Sequence, residues 1–511
     1  MPVVCDFGCM RKKRCIETCA LKHVISAERE ARNTTATVQG YIKRVVRRGV
    51  LMKGKIESFF KLKEHNTNIQ TEVIAGITTF VTIAYILVVN PSILSAGGMD
   101  SGAVFTATAV TSALGTLLMA LSTNYPFIIT PGMGLNAFMI YTVVLSMGYS
   151  WQVALAAFFV EGFIFLIISL TKIRELVLDA IPHSLKLAIT AGIGLFITFI
   201  GLKSAGIVVD SPSTLVTIFP FHGSMEAGTF STGGVSAILG LLGIVITALL
   251  MIYNVKGNIL LGILITWGLG LICQLAGIYV PDPAAGYGSL IPDFSRGLAI
   301  PSMAPTFLKM DFSQVFSVGF ATIVIAYLFT NISETFGALV GSATKVGVLD
   351  DNGKFPRFKN ALVSQSVSCM TAAATGTSAT TAVVECAAGI AAGGRTGLTS
   401  LVTAIMFGVA LFLSPIFLAI PSFATAPALV IVGFLMISSL LSIDFSDMSE
   451  AMPAFICLFT IPFTYSIVEG MATGFISYVI INALGGKERR KKVSIAMYVI
   501  ALLFIVKYFF V

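Results

Sequence analysis

Long apolar stretches, separated by short polar connections, fill the chain from residue 71 almost to its C-terminus. Most are close to the length of about 20 residues that an α-helix needs to cross the hydrocarbon core of a bilayer. The pattern predicts an all-α polytopic membrane protein with about fourteen transmembrane segments. The predicted segments are 71–96, 104–121, a short third helix that opens at 132–138, 151–170, 184–202, 235–253, 259–280, 315–341, three within 361–417, 428–441, 454–465 and 469–484.

Two of these stretches are interrupted by residues that favour extended backbone. Residues 124–131 contain Pro126 and Pro131, and residues 375–381 consist only of Thr, Gly, Ser and Ala. We expect each to form a short strand that leads into a half-length helix, the second of which should begin at 380–384. Non-helical backbone at membrane depth survives only where it is buried in protein or lines a cavity. Broken helices of this kind form substrate sites in secondary transporters.

The two halves of the chain share an internal repeat. The motif Ile-Ala-Tyr at 83–85 returns at 325–327, 242 residues later, and each copy is followed closely by Asn and Ser. The same offset carries Asn136, in the first interrupted stretch, to residue 378 in the second. Seven segments in each half is an odd number, so the halves should have opposite orientations. The sequence therefore predicts a 7+7 inverted repeat whose half-helices meet near the bilayer midplane.

Composition and charge agree with a membrane location. The chain is 56% hydrophobic and 11% charged, whereas soluble proteins carry about 25% charged residues. The net charge of +8 does not indicate nucleic-acid binding, because the basic residues cluster in short connections, as the positive-inside rule expects of cytoplasmic loops. We therefore expect a multi-pass protein of the plasma membrane with a cytoplasmic N-terminus.

Several function classes are excluded by what the sequence lacks. The four histidines all lie in the arm or in loops, so no metal site is expected within the membrane. No phosphate-binding loop indicates ATP as the energy source. An enzyme would need a nucleophile and base, or a metal set, at one depth, and none is visible. No cofactor is therefore expected, and an ion gradient, most simply of protons, is the expected driving force.

The two ends of the chain differ from its apolar centre. Residues 1–63 are expected to be a disordered, basic, cytoplasmic arm; its four cysteines, at positions 5, 9, 15 and 19, leave metal binding and palmitoylation as alternatives. Residues 64–484 form the predicted transmembrane domain. Residues 485–511 comprise a basic loop and a C-terminal apolar helix. The basic loop should be cytoplasmic, which fits fourteen segments that end near residue 484. We therefore expect the apolar helix to lie at or re-enter the cytoplasmic face and not to form a fifteenth segment.

Three carboxylates within apolar segments are the main candidates for chemistry. An ionised side chain at the bilayer centre costs roughly 3 kcal/mol or more, so it is seldom there without a function. Glu334 and Glu385 have small and hydroxyl-bearing neighbours that suit a cavity; each alternatively ties helices together as a protonated, hydrogen-bonded group. Glu161 has few polar neighbours, and for it a structural tie and a proton relay are both open. Proton coupling is accordingly assigned to these three residues.

The interrupted stretches supply further binding groups. Asn136 either binds a ligand or caps the third helix, and Ser378 and Thr381 lie on the second strand. A half-helix N-terminus presents free N–H groups. Together with Glu334 and Glu385, these groups suit a flat, uncharged heterocycle with several N–H and C=O groups. An anion fits less well, because the two carboxylates would repel it unless protonated.

Four stretches of sequence resemble the adenine/guanine/hypoxanthine permeases, which are purine-specific members of the nucleobase–cation symporter group with the uracil-permease fold. They read FKLKEHNT at 60–67, TEVIAG at 71–76, PGMGLNAF at 131–138, and GTSATTAVVECAAGIAAGGRTG at 376–397. The resemblance implies a core domain (segments 1–4 and 8–11) and a gate domain (segments 5–7 and 12–14). It also implies proton-coupled purine uptake by alternating access, with substrate held by Glu334, Glu385 and the backbone of the two strands.

One position departs from the family pattern, and alternatives remain open. The family carries Asp where this chain has Glu334, so the cavity size and the preferred purine are not determined. The alternatives are a symporter of another nucleobase, such as uracil or xanthine, and an anion transporter of the same fold. A passive channel would leave the paired buried carboxylates unexplained. Partners expected are the purine nucleobase and the lipid bilayer; a homodimer is an open alternative.

Overall fold

A computed structural model describes residues 54–171, 182–282, 287–295, 297–349, 355–491 and 493–510. Most of the predicted N-terminal arm, residues 1–53 with its four cysteines, lies outside the described residues. The chain divides into two compact units, residues 1–66 and 67–511. The second unit contains every element discussed below.

The first half of the second unit is almost entirely helical. Side chains of Asn68, Asp100 and Ser150 accept hydrogen bonds from backbone N–H groups in the first turns of three helices, which satisfies donors that have no partner within a helix. The helices are α1 Ile69–Ile83, α2 Ile86–Ser95, α3 Ser101–Thr123, α4 Met133–Ala137 (continued as a π-helix, Phe138–Ser146), α5 Trp151–Leu170, α6 His183–Ser204, α7 Phe221–Glu226, α8 Val235–Ile252 (preceded by a π-helical turn, Phe230–Gly234) and α9 Asn258–Leu275.

The second half repeats this helical character. Its helices are α10 Val318–Val346, α11 Phe358–Thr375, α12 Cys386–Ala391, α13 Gly397–Ala410, α14 Ser414–Leu418, α15 Ser422–Ile437, α16 Met448–Thr464, α17 Ile467–Leu484, α18 Lys487–Arg490 and α19 Ile495–Phe510. Short 3₁₀ turns, Leu411–Leu413 and Ser438–Ser442, follow α13 and α15.

Four short strands form two separate antiparallel pairs. β1 Ile129–Pro131 pairs with β4 Thr380–Ala382. β2 Val208–Ser211 and β3 Leu215–Ile218 form a hairpin in the connection after α6. The expected strands before the third and tenth segments are therefore present.

Ten helical segments among the described residues are long and apolar enough to cross a membrane. The other four of the fourteen predicted segments are shorter or more polar. They are the broken segment at Met133–Ser146, α11, the β4–α12 segment and α16. α11 is polar because it is internal: Ser364, Gln365, Ser366 and Ser368 are all buried.

The tenth segment differs from its predicted form. Its half-helix, α12, has six residues and begins at Cys386, not at 380–384. Residues 380–382 belong instead to β4, because their backbone groups pair with β1 across the molecule. Glu385 consequently precedes the first helical residue.

The first segment is interrupted, which the apolar pattern did not predict. α1 ends at Ile83 and α2 begins at Ile86. The break places Tyr85 at the N-cap of α2, without a side-chain cap of its own.

A buried carboxylate explains the sequence Gly-Gly-Arg-Thr-Gly at 393–397. Glu72, in the first turn of α1, accepts hydrogen bonds from the backbone N–H groups of Arg395, Thr396 and Thr399, at 2.9, 3.3 and 3.2 Å. The Thr399 hydroxyl donates a fourth bond at 2.6 Å. Glu72 is fully buried and so caps the N-terminus of α13, where a negative charge is favourable.

The C-terminal helix packs against another helix of the same unit. α19 runs antiparallel along α17: the Phe504 ring lies 5.9 Å from Phe475, and the Tyr508 hydroxyl donates to Glu469 near the start of α17. Met497 of α19 is buried in this contact.

Candidate binding site

Strands β1 and β4 form an antiparallel pair beside the candidate site. Ile129 pairs with Ala382, Thr130 with Thr381 and Pro131 with Thr380, and all six residues are buried. Because the strands come from different halves of the chain, each provides backbone partners that the other lacks. The pairing satisfies polar backbone that could not otherwise remain inside an apolar environment.

Side chains from neighbouring helices complete the bonding of this strand pair. The Thr116 hydroxyl of α3 donates to the carbonyl of Ile129 at 3.0 Å and accepts from its N–H at 3.1 Å. The Gln365 amide of α11 donates to the carbonyl of Thr380. The strands are thus held by α3 on one side and α11 on the other.

A cavity of about 630 Å³ opens beside the strands. Its volume lies within the range of about 300–1,000 Å³ that is typical of small-molecule sites. It is lined by the α1–α2 break, the β1–α4 and β4–α12 junctions, α10, α6 and α15. Most of the lining is apolar, and its carboxylates are Glu334 and Glu385.

Glu385 faces the cavity and is held by one tyrosine. The Tyr85 hydroxyl donates to Glu385 Oε1 at 2.6 Å, and the two residues are 300 positions apart in the chain. Both residues line the cavity. The bond fixes one carboxylate oxygen and leaves the position of the other to be set by what enters the site.

Glu334 faces the cavity from α10 and lies against two glycines at the start of α4. A Cβ added at Gly132 would lie 2.8 Å from Glu334 Oε2, and one at Gly134 would lie 2.1 Å from Oε1. Only glycine permits this approach. Among the described residues Glu334 Oε1 has no hydrogen-bond partner, and a buried acceptor without a partner is costly. A ligand with N–H groups would satisfy it.

Asn136 and Ser378 are brought together, but behind the cavity lining. The amide of Asn136 and the hydroxyl of Ser378 both donate to Asn90 Oδ1, each at 3.1 Å. Asn90 Nδ2 in turn donates to Thr108 and Thr377, at 2.7 and 2.8 Å. Asn90 therefore uses its full bonding capacity to join α2, α3, α4 and the segment before β4. Asn136 and Ser378 are fully buried.

Thr381 and Glu161 have contrasting positions. Thr381 lines the cavity beside Gly132. Glu161 does not line it: this carboxylate is fully buried and accepts from Asn331 Nδ2 at 3.1 Å and from the Cys369 thiol at 2.9 Å. Of the six candidate residues, three therefore line the cavity.

The sequence pattern did not mark two important residues as functional. Tyr85 and Asn90 entered only as parts of the internal repeat. The signal that could have identified them is a polar group within an otherwise apolar segment, since such a group needs a buried partner. The glycines at 132 and 134 carried a similar signal, because two glycines at a helix start indicate close approach by another group.

Comparisons with known proteins agree over nearly the whole chain. Residues 70–506 match the profile of the Permease family, Xan_ur_permease. The chain is 39% identical to adenine permease AdeP of Escherichia coli, over 90% of this chain and 97% of that protein. It is 42% identical to guanine/hypoxanthine permease PbuG of Bacillus subtilis, over 89% of this chain and 100% of that protein.

Solved structures share the fold at low sequence identity. The transmembrane domain of the cyanobacterial bicarbonate transporter BicA superposes with a TM-score of 0.57 at 14% identity, covering 79% of this chain and 97% of that chain. The murine solute carrier 26 family member A9, an anion transporter, gives 0.58 at 11% identity, over 81% of this chain and 68% of that chain.

Proposed function

Because this chain belongs to the Permease family, and is therefore a multi-pass membrane transporter and not an enzyme, we propose that it imports purine nucleobases by proton symport across the plasma membrane. The substrate class is supported by the names of its relatives, adenine permease and guanine/hypoxanthine permease. Adenine, guanine and hypoxanthine are the proposed substrates.

The observation that carries the proposal is the pair of carboxylates at the cavity, one of them with an unpartnered oxygen. Glu334 Oε1 has no partner among the described residues, and Glu385 accepts a hydrogen bond from Tyr85 through Oε1. Purines carry ring or exocyclic N–H groups, and carboxylates accept hydrogen bonds from such groups. A charge-assisted bond of this kind contributes about 1.5–3 kcal/mol. Thr381 and the backbone of β1 and β4 line the same space.

Alternating access is the proposed transport cycle, and the lining of the cavity supports it. Its carboxylates and strands belong to the proposed core domain, whereas His183, Leu187 and Val432 line it from α6 and α15 of the proposed gate domain. A cavity between two such domains opens to one side at a time if they rock against each other. We propose that the start of α6, which lines this cavity, is cytoplasmic and that the cavity is therefore the inward-facing one of the cycle.

Two buried carboxylates also provide the proposed coupling to protons. An ionised carboxylate pair is costly inside a membrane, so proton binding and substrate binding each make the occupied site less costly. Uptake couples to the gradient if both ligands favour the same state. We assign proton uptake to Glu334 and Glu385, which line the cavity. Glu161 lies outside it and is treated separately below.

Uptake of radiolabelled adenine, guanine and hypoxanthine by a purine-transport-null bacterium tests the proposal. We expect accumulation that collapses with a protonophore and rises as the external pH falls. Unlabelled uracil, xanthine and bicarbonate serve as competitors. No accumulation of any of the three purines, together with uptake of labelled uracil or bicarbonate, would favour the alternative of another nucleobase or an anion and would overturn the purine assignment.

A matched pair of variants tests the site. Glu385→Gln keeps the shape of the side chain but removes its charge, and we expect purine uptake to fall about ten- to hundredfold. Glu226→Gln makes the same chemical change at an exposed position of α7, outside the cavity, and should leave uptake unchanged. Wild-type uptake by Glu385→Gln, with both proteins present at equal levels in the membrane, would contradict the proposed site.

A further inference from the structure

A chain of buried hydrogen bonds begins at Glu161, outside the cavity. Glu161 uses its two oxygens separately: Oε1 accepts from Asn331 Nδ2 at 3.1 Å, and Oε2 accepts from the Cys369 thiol at 2.9 Å. Tyr327, whose ring stacks on Phe158 at 4.0 Å, is the other titratable neighbour. Both oxygens of Glu161 therefore act as acceptors within a protein-lined interior.

The bond from Asn331 to Glu161 fixes the direction of the next bonds. Because the NH₂ group of Asn331 faces Glu161, its Oδ1 faces the opposite way. That oxygen accepts from the Thr335 hydroxyl at 3.1 Å and from Gln365 Nε2 at 3.3 Å. Gln365 Nε2 also donates to the carbonyl of Thr380 in β4. If the Asn331 amide were reversed, its NH₂ group would face the donors of Thr335 and Gln365, and these hydrogen bonds would be lost.

Both ends of this chain of bonds lie next to cavity-lining groups. Thr335 directly follows Glu334 in α10, and Thr380 directly precedes Thr381 in β4. Glu334 and Thr381 line the cavity. The orientation of the Asn331 amide therefore affects two elements of the site: α10, which carries Glu334, and β4, which carries Thr381.

We propose that Glu161 is a positioning residue of the transport site, which orients Asn331 and through it α10 and β4, and that it is not a proton carrier. The proposal rests on the proposed function for the meaning of the site. For positioning, residue 161 needs only to accept a hydrogen bond from Asn331. A proton carrier would instead require a carboxylate that the cavity reaches, and Glu161 does not line the cavity.

Exchanging the acid and the amide between two positions separates these roles. Glu161→Gln keeps an amide oxygen as acceptor for Asn331 and turns its NH₂ toward Cys369, whose sulfur is a weak acceptor. Asn331→Asp alone removes the donor and sets two carboxylates against each other. In the double variant, the new amide at position 161 would donate to the new carboxylate at position 331, which still accepts from Thr335 and Gln365. The bond between positions 161 and 331 is then restored in the reverse direction.

The readouts are KM and maximal rate of purine uptake, the accumulation ratio and the pH profile. We expect Glu161→Gln and the double variant to stay within about threefold of wild type, with unchanged accumulation and pH profile, and Asn331→Asp to raise KM about tenfold or more. Gln365→Met, which removes the donor to Thr380, should raise KM in the same way. It serves as the second variant if Asn331→Asp fails to reach the membrane.

Three results would overturn the proposal. Loss of accumulation with retained exchange in Glu161→Gln would make Glu161 a proton carrier. An Asn331→Asp protein with wild-type KM, or a double variant no better than Asn331→Asp, would show that the direction of the amide is immaterial. Thermal melting of the purified wild type, the two single variants and the double variant measures how much these hydrogen bonds stabilise the protein without substrate. Wild-type protein that does not transport purines would therefore refute the proposed function, while the melting cycle alone would still decide the network.

Discussion

Gly134→Ala is the sharpest steric test of how Glu334 is presented to the cavity. The added Cβ would lie 2.1 Å from Glu334 Oε1 and 3.0 Å from a methyl carbon of Ile193. Ordinary contact begins at about 3.4 Å, so the carboxylate must move by about 1 Å. Overpacking of this kind costs about 1–3 kcal/mol. At 1.4 kcal/mol for each factor of ten, we expect affinity for purine to fall about five- to 150-fold.

The same substitution should destabilise the fold by less than the overpacking alone would. Alanine within a helix is more stable than glycine by about 0.5–1 kcal/mol, which offsets part of the overpacking. Gly408→Ala is the matched control, because a Cβ at that position of α13 meets no atom within 4 Å. It should match the wild type in uptake and be equally or slightly more stable.

Measurements of purine binding and uptake, at matched protein levels, check this prediction. Adding Glu334→Asp to Gly134→Ala shortens the carboxylate by one methylene and should recover part of the lost affinity. Wild-type KM in Gly134→Ala would refute the reasoning, because it would mean that the Glu334 carboxylate does not lie against α4 in the transporting protein.

Further predictions concern coupling, stability and topology. Glu334→Gln, which mimics the protonated side chain, should lose accumulation against a gradient while retaining purine exchange; unchanged accumulation with an unchanged pH profile would transfer the proton to another carboxylate. Glu72→Ala leaves several buried N–H groups of the α13 N-terminus unsatisfied and should destabilise the protein by about 2 kcal/mol or more, measured by thermal melting against Thr399→Val, which removes only one of the bonds and should cost less. In a cysteine-free background, a membrane-impermeant thiol reagent should label Gly223→Cys but not Lys359→Cys in intact cells, because Lys359, in the first turn of α11, follows a basic connection that we predict to be cytoplasmic; the reverse result would invert the topology.

The apolar segments and the two interruptions could be predicted from sequence because their causes are local. Segment length depends on runs of apolar residues, and a run of Thr, Ser and Gly weakens a helix wherever it occurs. The strands β1 and β4 thus appear near their predicted positions. The helix after β4 begins later than predicted, because residues 380–382, where we expected it to begin, pair instead with β1, a strand about 250 residues away.

The function of a buried polar side chain, by contrast, depends on what lies opposite. Glu385, Glu161 and Glu72 are all carboxylates near or within apolar sequence, and their sequence neighbours do not show which partner each one meets. Glu385 meets the hydroxyl of Tyr85 at the cavity, Glu161 meets Asn331 behind it, and Glu72 caps a helix. Only the tertiary fold distinguishes these three environments, because each partner lies more than 150 residues away.

Sequence by itself determined that this is a polytopic membrane protein with two interrupted segments and a carboxylate, Glu385, at the second of them. Tertiary structure alone decided which groups face the cavity. Asn136 and Ser378 are candidates from the sequence as polar residues of the interrupted segments, and in the fold both donate to Asn90, while Asn136 Oδ1 has no partner among the described residues. A polar group in an apolar interior must find a partner. Composition shows that the need exists, and only the packing of the helices shows whether protein or substrate meets it.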